Sequence, residues 1–137
     1  MKYLLDTHAL WEHASDGDGL SSRAAACIDE APVTDLLVLD VSLYELARHL
    51  AVGRIEADSP PRALARIERA YPVLHSDAEI AWLAASLDWP KRRGAGQHLD
   101  PADRALVAAA ILHELTLLTA DKEMHHFAAK QNVRVLW

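Results

Sequence analysis

Along this chain, short unbroken apolar runs alternate with longer stretches whose apolar residues recur every three or four positions. Tyr3-Leu4-Leu5, Leu36-Leu-Val-Leu39 and Leu115-Thr-Leu-Leu-Thr119 are the runs, and Pro72-Val-Leu-His75 and Val133-Arg-Val-Leu-Trp137 are weaker examples. Short apolar runs bounded by polar residues predict strands buried on both faces, as in a parallel sheet. Between them, Leu43, Leu46, Ala47 and Leu50 keep the i, i+3, i+4, i+7 spacing of an amphipathic helix. That helix is expected to start at Ser42 and stop at Gly53, with Glu45 on the side opposite its apolar face, flanked by Arg48 and His49.

Further helices are expected over Thr7–His13, from Ala24 to about Glu30 behind a Ser21 or Ser22 cap, from Pro61 to about Tyr71, and from Asp121 to about Lys130. Ser76-x-x-Glu79 has the form of a capping box ahead of Ile80, Leu83, Ala84 and Leu87. Asp100-Pro101 is a strong helix start, opening a run from Ala105 that is apolar all round and therefore central. Ser15–Gly19 and Trp89–Leu99 read as loops. Strands alternating with helices throughout predict an α/β fold, a three-layer α/β/α sandwich with a central parallel sheet.

Composition bounds this picture. The 137 residues suffice for one domain, residues 1–137. With 51% hydrophobic and 25% charged residues the chain is globular. No apolar run approaches the ~20 residues of a membrane span, and Met1 leads directly into a strand, so no signal peptide is expected. Cys27 is the only cysteine, which excludes an internal disulfide and fits a cytoplasmic protein. The net charge of −6 argues against a general DNA-binding face, but not against a carboxylate site neutralised by cations.

Four acids stand at places where such a site forms. Asp6 ends the first strand, Glu45 lies early in the helix after the second, and Asp121 follows the fourth. In open α/β sheets, sites form beyond the carboxyl ends of strands. Asp103 lies in the first turn of the buried helix, a whole helix ahead of its strand, so that rule does not place it at the same rim. If the four converge, hard oxygen ligands suit Mg2+ or Mn2+, which serve phosphodiester cleavage. Each also has a structural reading: Ser42-x-x-Glu45 matches a capping box, Asp100 and Asp103 suit N-cap and N3 of a helix, and Asp121 suits a cap. Gly94-x-Gly96 lacks the strand and third glycine of a dinucleotide fingerprint, and the eight histidines contain no zinc-ligand spacing. His125-His126 reads as an exposed helix face, and Lys91-Arg92-Arg93 is the one compact basic run, a candidate phosphate contact.

Taken together, Leu4-Leu-Asp-Thr-His-Ala-Leu10, Val41-Ser-Leu-Tyr-Glu-Leu-Ala47 with Gly53-Arg-Ile55, Asp100-Pro-Ala-Asp-Arg-Ala-Leu-Val-Ala108, Leu117-Leu-Thr-Ala-Asp121 and the closing Leu136-Trp137 resemble the PIN-domain ribonucleases, specifically VapC-like toxins of toxin–antitoxin pairs. The resemblance covers nearly the whole chain. It implies a PIN-like, Rossmann-like sandwich, cleavage of RNA dependent on Mg2+ or Mn2+, a homodimer, and a cognate antitoxin as partner. It implies Asp6, Glu45 and Asp103 as the acidic triad and Asp121 as the fourth acid, with Thr7 orienting the first. Thr7, Arg48, Lys91, Arg92 and Arg93 are the accompanying candidates for substrate contact. Ala102 and Leu99 depart from the family pattern, which bears on substrate choice rather than on the acids. Two other readings stay open: a PIN-like RNA- or protein-binding module without turnover, and a metal-dependent phosphatase.

Overall fold

The computed structural model describes residues 1–89, 91–92, 95–97 and 100–137, with side chains described outside 90–99. Strand β1 (Tyr3–Leu5) leads into helix α1 (Thr7–Ala14), then α2 (Ser22–Glu30), β2 (Leu36–Leu39) and α3 (Asp40–Ala51). Helix α4 (Pro60–Ala70), β3 (Val73–Leu74) and α5 (Ala78–Ser86) follow. A hairpin of β4 (Lys91–Arg92) and β5 (Ala95–Gln97) precedes α6 (Pro101–Leu112), β6 (Thr116–Leu118), α7 (Lys122–Lys130) and β7 (Val135–Leu136).

Five strands form one parallel sheet in the order β3-β2-β1-β6-β7. The chain winds outward from β1 in one direction to β3, then returns across β1 to β6 and β7. The sheet therefore reverses its winding between β1 and β6, and crevices form at such a switch. Successive strand residues face opposite sides. Leu4, Leu39 and Leu117 enter a core with α5, α6 and α7, where Ala105–Ala110 are all buried. Leu5, Leu36, Val38 and Leu118 enter a second core with Leu10, Ile28, Leu46 and Ile67. The expected three-layer α/β/α sandwich with a central parallel sheet is what the chain forms. Among the described residues, no helix is long and apolar enough to cross a membrane.

Several local expectations need correction. Helix α3 starts at Asp40, two residues before Ser42, and has no side-chain cap. Ser42 is fully buried inside the helix and its hydroxyl has no hydrogen-bond partner among the described residues, so Ser42 and Glu45 do not form a capping box. Asp40 instead reaches across the fold and accepts from the Ser76 backbone N–H (3.0 Å) and hydroxyl (2.6 Å). Ser76 is thereby occupied, and Asp77 caps α5 by accepting from Ile80 N–H at 2.9 Å. Residues read as a loop after Trp89 include the antiparallel pair β4–β5. Gly53 does end α3, at φ +75°, where a Cβ would be strained.

Candidate active site at the switch of the sheet

Asp6 occupies the N-cap of α1 immediately beyond β1. Its carboxylate accepts from Ala9 N–H at 2.7 Å, and it is 8% exposed. Its own N–H continues the sheet by donating to Leu118 of β6 at 3.0 Å. Asp121, two residues beyond buried Thr119, caps α7 by accepting from the N–H groups of Glu123 (2.9 Å) and Met124 (3.2 Å). The Thr119 hydroxyl bonds to the Asp6 carboxylate and accepts from Asp121 N–H at 3.1 Å, so one buried side chain joins both strand-end acids.

Glu45 lies one turn into α3, half-buried, and accepts from the Thr7 hydroxyl at 2.5 Å. Thr7 therefore orients the second acid, not Asp6 as expected. Asp103, half-buried in the first turn of α6, completes the group. Asp100 caps that helix by accepting from Asp103 N–H at 2.9 Å, and it does not line the cavity.

Asp6, Glu45, Asp103 and Asp121 line one cavity of about 550 Å³, with Thr7 beside them. Glu45 does not point away from the apolar side of α3, since Leu46 and His49 line the same cavity. A helix advances about 100° per residue, so Glu45 and His49 lie within about 40° of each other while Arg48 turns off the other way. Arg48 is exposed and absent from the cavity lining. Lys91, Arg92 and Arg93 lie outside the residues whose side chains are described.

Other polar side chains at the cavity were not site candidates in the sequence: His8, Glu12, His49 and Arg54. His8 and Glu12 stand 3.6 Å apart at i, i+4, a spacing that places both on one face of α1. Glu12 is also held by Gly19 N–H at 2.8 Å, and a Cβ at Gly17 would come 2.1 Å from its carboxylate. The glycines of the Ser15–Gly19 loop thus let the backbone fold onto Glu12. Arg54 was legible only as part of Gly53-Arg-Ile55. His125 is half-buried against the Thr119 carbonyl, unlike exposed His126, so the pair is not one exposed face.

Clustered carboxylates alter one another. Burial and the negative charges of Asp100, Glu45, Asp121 and Asp6 push the Asp103 carboxyl up to about 7. Burial also raises Asp6, against the Thr119 and Ala9 hydrogen bonds and the His8 charge, which favour its anion. Such mutual repulsion is what a bound cation relieves, and the donors are hard oxygens suited to Mg2+ or Mn2+. As they stand, among the described residues no three Asp, Glu, His or Cys side chains are disposed to hold one metal ion. The donor set fits a divalent ion by its chemistry.

The architecture has close counterparts. FitAcB from Neisseria gonorrhoeae superposes with a TM-score of 0.70 at 24% identity, covering 98% of this chain and 96% of that one. VapBC2 from Rickettsia felis, bound to a DNA fragment from its promoter, gives 0.68 at 14% identity over 100% and 99%. Mycobacterium tuberculosis VapC20, a sarcin–ricin loop cleaving toxin, gives 0.66 at 17% identity over 92% and 95%. At these identities the likeness is one of fold. No curated protein matches the sequence. The family model of the PIN domain, however, matches residues 3–130. That span takes in all four acids and every strand that positions them, and the chain belongs to the PIN-domain family.

Proposed function

We propose that this protein is a metal-dependent endoribonuclease and the toxin of a toxin–antitoxin pair. The observation that carries the reading is the convergence of Asp6, Glu45, Asp103 and Asp121 on one cavity, close enough for their charges to raise the Asp103 carboxyl. Membership of the PIN family and the fold shared with toxins such as VapC20 support it.

Asp6, Glu45, Asp103 and Asp121 would hold Mg2+ or Mn2+. Such an ion, when bound, supplies Lewis-acid stabilisation of phosphate oxygens and a water acidified toward neutral pH. The chain's own residues set the conditions. The Ala9 N–H and Thr119 hydroxyl favour the Asp6 anion against the burial that raises its carboxyl, and the Thr7 hydroxyl fixes one oxygen of Glu45. Asp103, whose carboxyl burial and the neighbouring charges raise to about 7, is the acid whose repulsion a bound cation would relieve. Arg54 at the cavity offers a cation to a phosphate. No covalent intermediate on the protein is required. RNA as substrate, a cognate antitoxin and a homodimer belong to the same proposal; the fold is shared with a toxin–antitoxin complex from Klebsiella pneumoniae.

The test uses the purified protein on total RNA with Mn2+, Mg2+ or a chelator. Cleavage should require the ion, and Asp6→Asn, Glu45→Gln and Asp103→Asn should each reduce it at least about 100-fold while circular dichroism stays unchanged. Full activity in Asp103→Asn would sink the site. Hydrolysis of a nitrophenyl phosphate ester without cleavage of RNA would assign a phosphatase instead. Sequencing RNA 5′ ends after brief induction would then identify the target.

A further inference from the structure

The acidic cavity has a neighbour with a row of arginines along one side. Helix α4 carries Arg62, Arg66 and Arg69, at i, i+4 and i+7, on one exposed edge spanning about 10 Å of helix axis. All three line a second hollow of about 910 Å³. Trp11, half-buried on α1, lines both that hollow and the acidic cavity. The chain after α3 also runs along both: Arg54 and Ile55 border the first, and Glu56 to Ser59 border the second.

The arginines are not committed to the fold. Asp16, Glu56 and Asp58 also line the hollow, yet none of the three guanidinium groups forms an ion pair with a described residue. Arg62 sits in the first turn of α4, where the helix dipole disfavours a cation. That end has neither an acidic residue in its first turn nor a side-chain cap. A cation kept there at a cost, in a chain of net charge −6, offers an unspent site for an anion.

We propose that α4 and Trp11 form a track for the substrate strand, leading single-stranded RNA from the acidic cavity onto the arginine edge. This deepens the ribonuclease reading and rests on it. The physical need is plain. Four carboxylates around the place where one phosphate reacts repel the phosphates on either side of it. Arg62, Arg66 and Arg69 offset that repulsion a short way along the strand. Trp11 presents an aromatic ring at the junction, where a base can stack without sequence preference. A row of cations beside an aromatic platform is the chemistry of single-strand binding, and it selects unpaired over duplex segments.

The experiment measures binding, not turnover. Fluorescein-labelled oligouridylates, a tetramer and a dodecamer, are titrated with full-length protein without divalent ions, at several salt concentrations. In the wild type the dodecamer should bind at least about 10-fold tighter than the tetramer, because only it reaches α4. In the triple variant Arg62→Gln/Arg66→Gln/Arg69→Gln that gain should vanish. The slope of log K against log salt should fall by about 2, as each phosphate contact contributes about 0.7 for a single strand. The triple Arg→Lys variant should keep the slope, and Trp11→Leu should lose part of the length gain with the slope retained. An unchanged slope and length gain in the triple Gln variant, correctly folded by circular dichroism, would overturn the track. So would a variant that loses affinity for oligoglutamate but not for RNA, which would make α4 a seat for an acidic protein segment. A wild type that binds the dodecamer through α4 yet cleaves no RNA would leave the track standing and remove the catalytic reading alone.

Discussion

The Thr7 hydroxyl donates to Glu45 Oε2 at 2.5 Å, joining residues 38 apart in sequence at the mouth of the acidic cavity. The bond couples the start of α1, placed by β1, to α3, placed by β2. It also restrains the one acid of the four that neither caps its helix nor sits in a first turn. Thr7→Val keeps the side-chain shape and removes the donor. It should weaken Mn2+ binding about 10-fold by calorimetry, with a matching loss of RNA cleavage and little change in melting temperature. Thr7→Ser should restore both. Wild-type Mn2+ affinity in Thr7→Val would make the bond incidental.

Thr119 serves the other pair of acids. Its buried hydroxyl stabilises the Asp6 anion and receives the Asp121 N–H. Thr119→Val should cost about 1–3 kcal/mol in urea unfolding, because buried polar groups lose their partner. Asp6 would also be raised further, so protons compete better with the metal. The Mn2+ affinity defect should therefore be larger at pH 6 than at pH 8. A defect independent of pH would show that Thr119 only packs.

The Asp103 carboxyl, raised to about 7 in the folded protein, ties stability to pH. Its unfolded value is near 3.9, so between these limits the folded state holds the extra proton. Stability from this group is complete below about pH 4 and is lost as pH rises through 7. Asp103→Asn removes the penalty. Without metal, the variant should match the wild type near pH 4 and be more stable by on the order of 2 kcal/mol above pH 7, allowing for solvent screening. Asp6, also raised, acts with the same sign. Saturating Mn2+ should raise the melting temperature of the wild type and largely fail to do so in the variant. A variant destabilised at pH 8, with no Mn2+ effect on the wild type, would leave Asp103 as a helix residue only.

Ser42 offers a test of the fold itself. Its hydroxyl is buried in α3 without a partner among the described residues. Ser42→Ala removes that orphan and adds helix propensity, so it should stabilise the protein by about 1 kcal/mol by thermal or chemical unfolding. A loss of about 1 kcal/mol would instead be the signature of a capping residue.

What the sequence by itself determined is the part of this protein governed by local rules. Apolar runs marked the sheet, because strands covered on both faces must be apolar throughout. Asp100-Pro101 marked α6 and Gly53 the end of α3, because helix ends depend on the residues at those ends. Asp6 and Asp121 were legible as strand-end acids for the same reason, and each proved to be a helix cap and a cavity residue at once. Capping a helix and lining the cavity are not alternatives: a carboxylate that accepts a backbone N–H keeps its charge.

Only the tertiary structure decided the rest. Ser42 and Ser76 have capping sequences, but Asp40 bonds to Ser76 across 36 residues and shifts both helix starts. Asp103 comes a whole helix before its strand, and packing of α6 on the sheet brings it to Glu45. Thr119, Arg54 and Trp11 carry no local signature, because a hydroxyl, a cation or a ring gains its role from what lies opposite. The winding reversal between β1 and β6 supplies that opposition, since strand order is set by which apolar faces pack together and not by any residue's neighbours in sequence.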